Sequence, residues 1–182
     1  MSKKTIEHAL RLMLCTILGI SVTACAHSAG SHRPITPPNQ GLSLSQYPHL
    51  YVEAKNKDEV PMTAVDRERL VNTIVRKIQV SNRFKDINSA TPSLNTLFVS
   101  VHVTNYDEGN AFLRFLLAGL GQMHIDGEVI LEDRNKPDPL ARYEVNKTFA
   151  WGGFYGLQTT LEHVEEGFAE SVVNILLEMK AE

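Results

Sequence analysis

Cysteine is almost missing from this chain of 182 residues: it has two, Cys15 and Cys25, both near the N-terminus. No CxxC pair occurs, which removes thiol–disulfide exchange and a thiolate zinc site from consideration. Clustered cations are missing as well. Eighteen Lys and Arg against 21 Asp and Glu leave a formal charge of −3, so nucleic acid finds no electrostatic footing, because phosphate contacts need grouped Lys and Arg. Anionic lipid likewise meets no basic surface. There is no HExxH, GxSxG, calcium-loop or Gly-Lys-Ser/Thr pattern, and Gly119-Leu120-Gly121 lacks the further glycine, helix and acidic partner of a dinucleotide loop. The apolar run from Leu12 to Val22 falls well short of the ~20 residues that a membrane-spanning helix needs.

That run is nevertheless informative through its flanks. Lys3, Lys4 and Arg11 precede it, and Val22-Thr23-Ala24-Cys25 closes it with small residues, the order of an export signal. These four residues resemble the lipobox of bacterial lipoproteins, with Val22 where leucine is usual. The resemblance implies cleavage before Cys25 and acylation of its thiol. Because Ala26 follows, not aspartate, it also implies the periplasmic face of the outer membrane. Several acyl chains hold a protein durably where one does not. On this reading residues 1–24 are a signal peptide, 25–47 a lipidated cysteine and flexible tether, and 48–182 a single periplasmic domain large enough to bury a core. Loss of Lys3, Lys4, Glu7 and Arg11 takes the formal charge to about −5. The domain is then free of cysteine and depends on its apolar core.

Within the domain, Leu50, Val52 and Ala54 alternate with polar neighbours as in a half-buried strand. Thr63 with Asp66 reads as a capping box, and Leu70, Val71, Ile74, Val75 and Ile78 form a helical stripe that ends before Asn82. Leu97 to Val103 alternates strictly. Gln122 to Glu132 does the same, with Gly127 on the inward face, where it admits a bulky neighbour or marks a bulge. Ala141 to Trp151 is a third strand of this kind, interrupted by Lys147, which is expected to snorkel at an edge. Thr159 with Glu162 reads as the cap of a last helix striped by Leu161, Val164, Phe168, Val172, Ile175, Leu176 and Met179. The order β-α-β-β-β-α predicts a two-layer α+β sandwich: a small, largely antiparallel or mixed sheet with two helices on one face.

Two segments do not fit that plan. Ala111 to Gly121 is densely apolar with Arg114 as its one charge, and Trp151 to Gly156 is rich in glycine and aromatics. They either cap the open end of the core or form a contact surface for a partner or membrane; cofactor binding is the remaining reading. Phe112, Phe115, Leu116, Leu117, Trp151, Phe154 and Tyr155 are the candidate contact residues. His27, His32 and His49 are too scattered for a metal site, and His163 sits beside the apolar stripe as a surface residue. Asp126, Glu128, Glu132 and Asp133 read as solvated acids on the wet side of a strand and its turn. No catalytic residue, metal or cofactor is expected.

Phe115 to Gly121 leading into Met123-His124-Ile125-Asp126-Gly127-Glu128-Val129, then Leu131-Glu132-Asp133-Arg134-Asn135 and a closing amphipathic helix, resembles bacterial lipoproteins of the DUF4410 type. Lys136-Pro137-Asp138-Pro139 stands where that group often has a Thr-Gly-Lys-like turn. The resemblance implies an anchored α/β domain and carries no catalytic residue with it. The expected role is therefore non-enzymatic contact with an envelope protein partner from a bilayer anchor at Cys25; the alternative is a periplasmic module for a small ligand or glycan, walled by Trp151 and Tyr155.

Overall fold

The computed structural model describes residues 29–38, 42–88, 95–117 and 119–179; the expected signal peptide and Cys25 lie outside them. In chain order the elements are β1 (Ser31–Thr36), β2 (His49–Asn56), α1 (Ala64–Val80), β3 (Asp86–Ile87), β4 (Thr96–Asp107) and α2 (Ala111–Leu116). There follow β5 (Met123–Glu132), β6 (Ala141–Phe149), α3 (Gly153–Gln158) and α4 (Leu161–Glu178). The six strands lie in the order β1-β6-β5-β4-β2-β3. β4, β5, β6 and β1 pair antiparallel, whereas β2 runs parallel to β4 and β3. Parallel neighbours need a crossover, and α1 supplies it.

The period-2 pattern does what it predicts. Leu50 and Val52, Leu97 to Val103, Met123 to Leu131 and Tyr143 to Phe149 send alternate side chains to one buried face. Leu70, Ile74 and Ile78 of α1 and Val164, Phe168, Val172 and Ile175 of α4 close over it. The result is a mixed-sheet α+β sandwich with both long helices on one side. Gly127 has the role its position suggests: an added Cβ would stand 3.0 Å from the His102 carbonyl oxygen and 3.1 Å from Phe168 Cζ. The register between β4 and β5 also slips beside it, between Val103 and Asn105.

Four expectations need correction. The fold begins earlier than residue 48, because Ser31–Thr36 forms the edge strand beside β6 and Leu44 and Tyr47 are buried. A tether reading of 25–47 therefore fails from Ser31 onward: backbone pairing to β6 needs no apolar pattern, so the prolines concealed it. Gly30 seals this entry, donating its N–H to the Gly167 carbonyl at 3.1 Å. With β1 outside it, β6 is not an edge, and Lys147 is buried on the inner face instead of snorkelling. The cap of α4 is Thr160, whose N–H donates to His163 Nδ1 at 3.1 Å, while the Thr159 hydroxyl turns back to the Tyr155 carbonyl at 2.8 Å. Asp133 is buried and accepts from the Tyr47 hydroxyl at 3.0 Å, so it is no solvated acid. By contrast, the Thr63–Asp66 capping box forms as read.

Charge ties the helices to each other and to the sheet. Arg69 of α1 donates to both carboxylate oxygens of Glu165 of α4 at 2.7 and 2.9 Å, and Tyr106 of β4 donates to the same carboxylate at 2.5 Å. At the opposite end Arg83 caps α4, donating to the carbonyls of Leu176 at 2.8 Å and Leu177 at 3.2 Å and to that of Met179, where the helix dipole favours a cation. Glu165 is 1% exposed. Replacing it with alanine leaves Arg69 and Tyr106 facing each other without their shared acceptor. Glu165→Ala is expected to cost about 3 kcal/mol, read as a fall in the urea midpoint at unchanged m value.

Candidate functional site

Every element that meets at one end of the sandwich arrives there by connectivity. β2 and β4 finish at that end, β5 starts there, and β6 finishes there. Both long helices consequently present their N-termini at it. α2 follows β4 through a turn at Gly109, whose φ is 62°, and begins with the Asn110 side chain accepting from the Leu113 N–H at 3.0 Å. α3 follows β6 and leads directly into α4.

α2 is amphipathic the wrong way round. Its one charge, Arg114, is 4% exposed, whereas Phe112, Leu113 and Leu116 face outward. Backbone geometry explains the inversion. Arg114 Nη1 donates to the carbonyls of Glu108 and Gly121, each at 2.8 Å, and Nε donates to that of Gly156 at 3.1 Å. One guanidinium thus pins the turn before α2, the turn after it and α3, supplying donors to main-chain carbonyls of two turns and one short helix. All three partners are neutral, and burial alone lowers the Arg114 pKa. Nη2 has no acceptor among the described residues.

Arg114 lines a cleft of about 390 Å³ together with Asp66, Arg69, Tyr106, Glu108, Thr160 and Glu162, flanked by Ala111, Met123 and Leu157. Glu108 is exposed, and its carboxylate has no partner among the described residues. Arg69 Nη2 also reaches Asp66 at 2.7 Å, and Nη1 lies 3.9 Å from Glu162. Burial, reinforced by the Glu165 carboxylate, pushes the Tyr106 phenol well above its ordinary pKa, so the cleft floor stays protonated. Burial acts to raise Asp66 too, but hydrogen bonds from the Thr63 side chain and backbone and from Arg69 outweigh it and hold Asp66 below its usual 3.8. A hydrogen bond from Thr160, then one from its own backbone, keeps Glu162 below 4.5. Depressed carboxylates stabilise the fold above their ordinary pKa, and that stability is lost as pH falls through the folded values. Melting temperature is therefore expected to decline below about pH 4, with a shallower decline in Asp66→Asn.

The sequence-derived contact residues come together as a rim beside this cleft. Phe112, Leu116, Leu117, Trp151 and Phe154 are exposed, Phe154 most of all at 74%. Phe115 is half-buried and meets the Phe154 ring edge-on at 5.4 Å; Tyr155 is half-buried against Phe149 at 5.6 Å. Trp151 and Tyr155 do not line the cleft, so the expected aromatic wall is not there. Gly119 and Gly121 have φ of 90° and 66°, which suits the turn read there. Arg114, Glu108, Arg69 and Tyr106 escaped the sequence reading; a lone arginine in an apolar run was the one available signal. Among the described residues, no group of His, Cys, Asp and Glu is placed to hold a metal ion, and no helix is long and apolar enough to cross a membrane. Because Leu116 and Leu117 stand outside the core, the double change to serine is expected to move stability by less than ~0.5 kcal/mol each, checked by thermal melting.

Solved structures of like architecture include two of one protein. PelC of Paraburkholderia phytofirmans, a dodecamer, matches with a TM-score of 0.53 at 14% identity, covering 79% of this chain and 96% of that one. A point variant of the same dodecamer gives 0.50 at 13%, covering 79% and 93%. At these identities the likeness is one of fold. No curated protein sequence gives a significant match. The family model described as "Domain of unknown function (DUF4410)" matches residues 30–153, more than half of the chain, and includes α2 with Arg114, and the chain belongs to that family.

Proposed function

We propose that this chain is an envelope lipoprotein that works by binding: Cys25 fastens it to the periplasmic face of the outer membrane, and the cleft takes a small polyhydroxylated ligand or a sugar unit of a glycan. The observation that carries the binding role is the combination of open groups in one cleft. Arg114 Nη2 offers a donor with no acceptor among the described residues, and Glu108 offers a carboxylate with no donor among them. Hydroxyls both donate and accept, so a sugar can satisfy each. Ala111, Met123 and Leu157 supply apolar wall for its C–H face.

A second reading gives the rim a protein partner in the envelope. Exposure of Leu116, Leu117, Trp151 and Phe154 supports it, and PelC, of like fold, is a dodecamer. The two readings separate by titration. Neutral, amino and uronic sugars added to the full chain, followed by calorimetry and by backbone NMR shifts, are expected to show saturable binding for at least one class, with shifts at residues 106–109 and 157–162. Glu108→Gln, which leaves the fold untouched, is expected to weaken it about tenfold, the loss of one charge-assisted hydrogen bond. Absence of binding across all three classes overturns the cleft reading and leaves the rim reading standing.

A further inference from the structure

Where the chain enters its fold constrains what the rim can meet. β1 lies antiparallel to β6, and its first residue, Ser31, is opposite Asn146, just short of the β6 terminus at Phe149. Gly30 is held by the Gly167 carbonyl. The N-terminal entry is therefore at the same end of the sandwich as α2 and α3. From Cys25 to Ala29 there are about four residue steps, a reach of no more than about 14 Å when fully extended.

We infer that the apolar rim of α2 and α3 docks into the headgroup and upper acyl region of the same leaflet that holds Cys25; the inference rests on the acylation reading. A leash this short cannot lift the rim end far from an anchored N-terminus, and the headgroup layer alone is several ångströms deep on each side. The side chains presented there suit that environment. Phe112, Leu116, Leu117, Leu120 and Phe154 are exposed aliphatic and aromatic groups, and Trp151 is 51% exposed; tryptophan favours the boundary between headgroups and hydrocarbon. Charge sets the lipid class. The one cation of the segments 107–122 and 150–158 is Arg114, which is buried, while Asp107 and Glu108 are exposed. The rim is thus drawn in by apolar burial and not by anionic lipid, and zwitterionic lipid suffices.

The chain has one tryptophan, so intrinsic emission reports on Trp151 alone. The full acylated protein is reconstituted into phosphatidylcholine vesicles, with and without brominated acyl chains, and the same preparation is labelled with palmitate. The expected result is a blue-shifted Trp151 emission that brominated chains quench, with Phe112→Ser/Phe154→Ser folding normally by circular dichroism yet losing the quenching. Palmitate-labelled protein whose Trp151 emission is unquenched overturns the docking and leaves the anchor intact. A blue shift that grows with protein density but ignores bromine means that a second copy or another protein covers the rim, and also overturns it. Protein that takes up no palmitate at Cys25 overturns both readings.

Discussion

The carboxylate of Glu165 holds the sandwich in its particular arrangement. It lies under α4, receives a bidentate guanidinium from α1 and a phenolic proton from β4, and so fixes three elements against one another at the end where the strands finish. Apolar stripes alone would let two helices slide along the sheet, because burial is non-directional. A buried acid cannot slide: displacement leaves it desolvated without its donors. With α1 and α4 locked, their N-termini frame an opening, and α2 and α3 have a fixed surface to rest on.

Arg114 repeats this logic in reverse. Where Glu165 gathers charged and hydroxyl partners, Arg114 gathers main-chain carbonyls from two turns and α3. An apolar residue at that position would bury more hydrocarbon yet remove a donor from each of those carbonyls, of which Gly121 keeps the Asn110 N–H at 3.2 Å, and the lost hydrogen bonds are the costlier defect in a part-buried turn. Burying the arginine forces the apolar residues of α2 outward, so the exposed rim and the polar cleft share one structural cause. That coupling explains why a segment with such dense apolar sequence is not part of the core.

Legibility in the sequence followed periodicity. The three long antiparallel-type strands, both long helices, the Thr63–Asp66 cap and the inward Gly127 could all be read, because each expresses itself within a few neighbouring residues. β1 could not: an edge strand containing Pro34 has no apolar alternation, and its pairing with β6 joins residues more than a hundred positions apart. The cap of α4 was misplaced by one residue because His163 occupies the site where glutamate is usual. The rim residues were recognised by composition, but the cleft was not, since its lining is drawn from α1, β4, α2, β5, α3 and α4, which lie far apart in the sequence.

Residue order by itself determined the long strands and helices and the side of each of those strands that faces inward, because these depend on spacing and composition. Tertiary structure decided the rest. It made Arg114 an inward clasp and its apolar neighbours an outward rim, gave Asp133 and Lys147 buried places, and put the chain's entry, the cleft and the rim at a single end. The reason is physical: whether a polar group can be buried depends on which carbonyls and carboxylates arrive beside it from distant parts of the chain.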